Sequence, residues 1–376
     1  MELSSEDVLR LKVLLANQLQ AVRIDESSMS VHGLSGDREA VVKLNPAGRD
    51  EDYLRLVREL LSLHVLGSPG GYPVYIQRWT RMGQARDQSL ERLLLLGEPE
   101  AVVAVVHASG LTNELARRAW WTMPISVNAR RMLERDCVAR GTMGPILAEA
   151  LVEYLPFEEE PEAIIETVRL VLQPGLISGD RRRQLWAKGA HRNVYYVGFL
   201  QTVPDALPGA YAPSPVFEAL HRPLADLSED GNPFAAQLHR CLDAPGQGFL
   251  QTAEAVLRRP VDQDVVVVVF EAIAAYFSAV APTGPAMTDM QEAVGEAEAV
   301  CAPSRSTAPA ALGAILERVP AARAQVVALR ALSRVGEPML RPIFARTTAT
   351  GSLMRRKLEP LTGPMFQQFA RLRGRV

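Results

Sequence analysis

Three groups of side chains in this 376-residue sequence have the types and spacing to do chemistry. Cys301 ends a helical pattern, precedes the small-residue run Ala-Pro-Ser-Arg-Ser and has Arg305 four residues on. An exposed thiol beside a guanidinium ionises readily, and the thiolate is the form that attacks or carries sulfur. Cys301 is therefore the candidate for a persulfide-carrying thiol, whereas Cys137 and Cys241 fall within helical patterns and are expected to pack as small apolar groups. The second group, Tyr72, Tyr75, Arg78, Trp79 and Arg81, mixes aromatic rings with guanidinium groups, as interface hot spots and single-stranded nucleic-acid platforms do. As a strand it places Tyr72, Val74, Ile76 and Arg78 on one face and Tyr75, Gln77 and Trp79 on the other. One face then enters the core and the other lies under adjoining helices, with an exposed recognition surface as the alternative. The third group is the C-terminal run of Arg355, Arg356, Lys357, Arg371, Arg373 and Arg375, opposed after Ser352 by Glu359 alone. A solvated helix face is the simplest reading of such a run, and binding of RNA or of an acidic protein patch is the functional one.

Other chemistries lack their signatures. Three cysteines without a C-x-x-C spacing indicate neither a disulfide framework nor a zinc site, which suits a reducing cytoplasm. The six histidines form no H-x-x-x-H or H-E-x-x-H pattern. Ser68-Pro69-Gly70-Gly71 precedes a strand-like run rather than the helix a phosphate cradle needs, so it reads as a turn. No cofactor or metal is expected.

Composition bounds the class. Apolar residues make up 48%, charged residues 22% and the net charge is -2, an ordinary globular balance that excludes wholesale disorder and names no partner. The length implies two or three domains. The N-terminal MELSSEDVLRLKVLLANQ carries acids where a signal peptide needs bases. Val265 to Ala281 is apolar apart from Glu271, but it is short for a membrane span, carries that carboxylate near its middle and lacks anchoring aromatics at both ends; a core helix capped by Asp264 is expected, with no membrane association.

The elements that must position these groups follow from periodicity. Ser4 or Ser5 caps a first helix with Val8, Leu11, Leu14 and Leu15 on one face, and three alternating runs around Val22, Val31 and Val42 form a β-meander. A helix opened by Asp50 ends at Gly67, before the alternating run from Tyr72 to Thr80. Helices then open near Glu98, Thr112, Ser126, Pro145 and Pro161; Ala101–Val106 is β-branched, but Pro99 at a first turn makes it helical. The expected fold is mainly α: a small N-terminal α+β domain (1–82), followed by stacked antiparallel helix pairs forming a HEAT-like helical repeat region (83–200). A proline-rich linker (201–215) then leads to a C-terminal helical region (216–376), with helices over 216–242, 247–281, 311–335, 338–348 and 352–375.

Taken together, VLGSPGGYPVYIQRWTRMGQAR, LLLLGEPEAVVAVVHA, LARRAWWTMP, PFEEEPEAIIETVRLVLQPGLI and LWAKGAHRNVYYVGFLQTVPDALP resemble the DsrS family, encoded with the dissimilatory sulfur-metabolism (Dsr) genes of sulfur-oxidising bacteria. The likeness covers residues 1–208 well and the remainder loosely, and it brings no catalytic motif. It implies a soluble cytoplasmic accessory protein of sulfur oxidation, acting on expression or assembly rather than on chemistry. The leading expectation is a non-enzymatic scaffold or regulator whose helical surface binds a protein or RNA partner. A sulfur relay on Cys301 and a nucleic-acid binder using the C-terminal arginines are the alternatives.

Overall fold

The computed structural model describes residues 2–46, 48–73, 87–302, 309–345 and 351–375, the side chains of 87–89 excepted. The chain is mainly α, with one small antiparallel sheet near its N-terminus. It divides into two compact units, Met1–Tyr154 and Leu155–Val376.

In the first unit, Ser4 caps helix α1 (Ser5–Leu15) by accepting the Asp7 N–H at 3.1 Å. Strands β1 (Ala21–Asp25), β2 (Ser30–Ser35) and β3 (Arg38–Lys43) pair in that order, all antiparallel, with Val22 opposite Gly33 and Val31 opposite Val42. Asp25 closes the first turn by accepting the Ser27 and Ser28 N–H groups, while Gly36 at φ 60° supplies the left-handed residue of the second. The sheet and α1 enclose a core with helix α2 (Asp50–Leu66), built from Leu11, Val22, Val31, Tyr53, Val57 and Leu61. One ionised group sits inside it: Asp7 is fully buried and accepts from the Tyr53 hydroxyl and, at 2.9 Å, from the Asn45 N–H.

Gly67, at φ 67°, ends α2 as periodicity required. Beyond it, Gly71, Tyr72 and Pro73 are helical rather than extended, which corrects the expected strand at its start; residues 74–86 lie outside the described ones. Next come α3 (Asp87–Leu93), α4 (Pro99–His107), α5 (Asn113–Thr122), α6 (Ser126–Leu133), α7 (Asp136–Ala139) and α8 (Met143–Tyr154). Proline in the first turn of α4 and the Thr112 hydroxyl accepting the Leu115 N–H at 3.2 Å start two of them where composition placed the openings. These helices belong to one unit with the sheet, joined by Arg117 to Gln20 at 2.9 Å and by Arg23 over the Trp121 ring at 4.8 Å. The division therefore does not fall at 82.

The second unit holds α9 (Pro161–Val171), α10 (Gly179–Lys188), α11 (Val194–Thr202), α12 (Phe217–Glu229), α13 (Pro233–Leu242), α14 (Ala244–Arg258) and α15 (Gln263–Tyr276). These are followed by α16 (Met290–Val300), α17 (Ala310–Arg318), α18 (Arg323–Leu332), α19 (Arg341–Phe344) and α20 (Gly351–Leu372). Residues 201–215 lie within this unit. Asp205 pairs with Arg240 at 2.6 Å, the Ser214 N–H donates to the Leu242 carbonyl at 2.8 Å, and the Tyr211 and Thr252 hydroxyls are 3.3 Å apart. Proline prevents regular backbone bonding there but leaves the side chains free to pack. Long helices expected from periodicity are interrupted where the backbone demands it: Gly231, at φ 84°, separates α12 from α13, and Pro320 separates α17 from α18. The apolar helix α15 is capped by Asp262, whose carboxylate accepts the Val265 N–H at 2.8 Å, rather than by Asp264. No helix of the described residues is long and apolar enough to cross a membrane.

Candidate functional site

Of the expected site residues, the structure describes Cys301 and the C-terminal cations. Tyr75, Arg78 and Trp79, with Arg81, lie outside the described residues. Cys301 is 1% exposed, not solvent-facing. It ends α16, its carbonyl accepts from Arg323, and burial pushes its thiol pKa up against the opposing pull of Arg323 and Arg330. Apolar packing at a helix end thus overrides the exposure that the small-residue run suggested. Cys241 is also buried, its thiol pushed up to about 12 by burial. Cys137 is exposed instead of packed, and its thiol donates to the Leu111 carbonyl at 3.2 Å.

The C-terminal cations separate into two kinds. Arg373 is buried and bonds Glu254 at 2.6 Å and Gln251 at 3.3 Å, which ties the end of α20 to α14. Arg371 donates to Gln368 at 3.1 Å and lies 3.8 Å from Glu298. Arg355, Arg356 and Lys357 are exposed on the first turns of α20 and have no ion-pair partner among the described residues. Arg355 and Arg356 line a groove of about 650 Å³ between α20 and the end of α14. Arg258, held by Glu254 at 2.6 Å, lies over the Phe366 ring in that groove, 4.7 Å from its centroid.

A second feature was not anticipated. Two adjoining cavities of about 390 and 360 Å³ share Arg169 and Glu271 and form a trough between α9 and α15. Glu162, Ile165, Glu166 and Arg169 line it from α9, and Asp264, Val267, Val268 and Glu271 from α15. Each set occupies positions i, i+3, i+4 and i+7, one stripe of a helix. Arg169 and Glu271 sit together again in the adjoining cavity beside Ala275 and Tyr276, so the two stripes run in the same direction. At the far end Arg240 lies 3.9 Å from the centroid of the Tyr276 ring, which stacks on Phe249. Four carboxylates against Arg169, around aliphatic side chains, can hold a cationic segment by charge and by apolar contact. Sequence reading gives a helix opening near Pro161 and an apolar core helix over 265–281, but nothing local says that residues about a hundred positions apart share one trough.

One further pair is brought together: His221 Nδ1 and His239 Nε2 are 2.7 Å apart across α12 and α13, both rings packed near Phe217. Burial, then the neighbouring His221, lowers the pKa of His239. No group of three or more metal-ligating side chains occurs among the described residues. Comparison with family models, with curated proteins and with solved structures returns no match.

Proposed function

We propose that this chain is a non-enzymatic, cytoplasmic accessory protein of dissimilatory sulfur oxidation that acts by binding a protein partner through the helical surface of its second unit. The observation that carries the docking role is the trough between α9 and α15, where two matching stripes set acids around an aliphatic floor. Interfaces are built this way, with charge at the rim giving specificity and apolar contact at the centre giving affinity. The resemblance to the DsrS family supplies the pathway. The burial of Cys301 removes the exposure that a sulfur-relay reading needs.

Affinity capture on the full chain from sulfur-oxidising cells tests this reading, with the double variant Glu162→Lys, Glu271→Lys as the comparison. Both positions are exposed, so the substitutions alter the trough and not the core. A protein retained by the unaltered chain, identified, remade and found to bind at least tenfold more weakly to the variant, supports it. Retention of nucleic acid alone, or equal retention by both chains, overturns it.

A further inference from the structure

We infer that the groove along α20 is a second docking site, and that its occupant is an acidic peptide segment of a protein partner. The charge balance comes first. Arg258, Arg355, Arg356 and Glu359 are the charged residues that line the groove, and Arg258 is already engaged by Glu254, which also holds the buried Arg373. Arg355 and Arg356 make no ion pair among the described residues, and Glu359 is the one acid in the lining, so the groove offers a ligand a net positive charge.

Shape and apolar lining favour a peptide. The lining runs along α20 from Ser352 to Ala370, which at 1.5 Å per residue is about 27 Å, the length of roughly eight extended residues. Leu257 and Phe366 give it an apolar wall. Pro360 and Pro364 lie inside the helix and bring no N–H, so the carbonyls of Arg356 and Pro360 lose their helical donors. Single-stranded RNA would instead need a free aromatic face for a base, and Phe366 already carries Arg258 over its ring. Gly363 completes the groove, since a Cβ built there would meet nothing within 4 Å. A larger side chain at 363 would therefore occupy the space reserved for the ligand.

This site shares no lining residue with the trough, so it stands or falls independently of the function proposed above. The test measures fluorescence anisotropy of the full chain with three labelled probes at low salt: a ten-residue peptide with four glutamates around two leucines, its glutamine counterpart, and a ten-nucleotide oligouridylate. The proposal expects the acidic peptide to bind at least tenfold more tightly than the other two. It also expects Arg355→Glu with Arg356→Glu, and separately Gly363→Leu, to weaken it at least tenfold while the far-ultraviolet spectrum stays unchanged. Should Gly363→Leu disturb the spectrum, Gly363→Gln takes its place and the charge-reversal pair still decides. Equal binding of the glutamine peptide, tighter binding of the oligouridylate, insensitivity to the variants, or no binding of the acidic peptide would each overturn the assignment.

Discussion

Single residues decide which reactivity the protein has. Burial holds the thiols of Cys241 and Cys301 in the protonated form, while Cys137 is exposed. Alkylation of the folded protein at pH 7, followed by peptide mapping, should therefore label Cys137 first and reach the other two only on unfolding. Early labelling of Cys301 would return it to candidacy as a sulfur carrier. Asp7 is the residue on which the first unit's stability turns. Burial alone would raise its pKa, but hydrogen bonds from Tyr53, the Asn45 N–H and Ser4 outweigh that and hold it below the ordinary carboxylate range. A depressed folded pKa contributes stability above the unfolded value, and that contribution is lost as pH falls through the folded one. Asp7→Asn should cost about 2 kcal/mol at pH 7, and its deficit against the unaltered protein should shrink toward pH 3, measured by urea denaturation at both pH values. A deficit independent of pH would show that the carboxylate charge has no part in the effect.

At the scale of elements, α9 and α11 cross where Gly198 replaces a side chain. A Cβ at 198 would lie 2.7 Å from Val168 and 3.0 Å from the Ile165 carbonyl. Gly198→Ala should lower stability by about 1–3 kcal/mol through overpacking, read as a lower melting temperature, although alanine has the better helix propensity. A neutral or stabilising result would mean that the crossing can open without cost. Element starts were largely legible in the sequence because their determinants are local: Ser4 and Thr112 caps, Pro99 and Pro161 in first turns, and alternation through β1 to β3. Interruptions were less legible. The amphipathic pattern continues across Gly231 and Pro320, and the backbone stops the helix at each. The strand expected from Tyr72 failed at its start because alternation over a few residues cannot outweigh the helical context.

At the scale of the whole molecule, the proline-rich segment shows the limit of composition. Four prolines in 201–215 read as a linker, yet Asp205, Tyr211 and Ser214 are tied to α13 and α14. A chain ending near Pro208 would strip α9 to α11 of the helices they pack against. A chain spanning 155–376 should melt cooperatively by circular dichroism, whereas one spanning 155–208 should not; cooperative melting of the shorter piece would contradict the placement of 201–215. The candidate sites were illegible for a related reason. Helices near Pro161 and over 265–281 are expected from the sequence, but the meeting of α9 and α15 depends on the intervening chain, and the C-terminal arginines looked alike until Arg373 proved buried and Arg355 and Arg356 exposed.

The docking role proposed for the trough between α9 and α15 can be measured as binding. Isothermal titration of the partner captured from sulfur-oxidising cells into the unaltered chain and into Glu162→Lys, Glu271→Lys tests it most directly. Saturable binding is expected, weakened at least tenfold by the double variant and weakened in the unaltered complex by added salt. Equal affinity for both chains would contradict it.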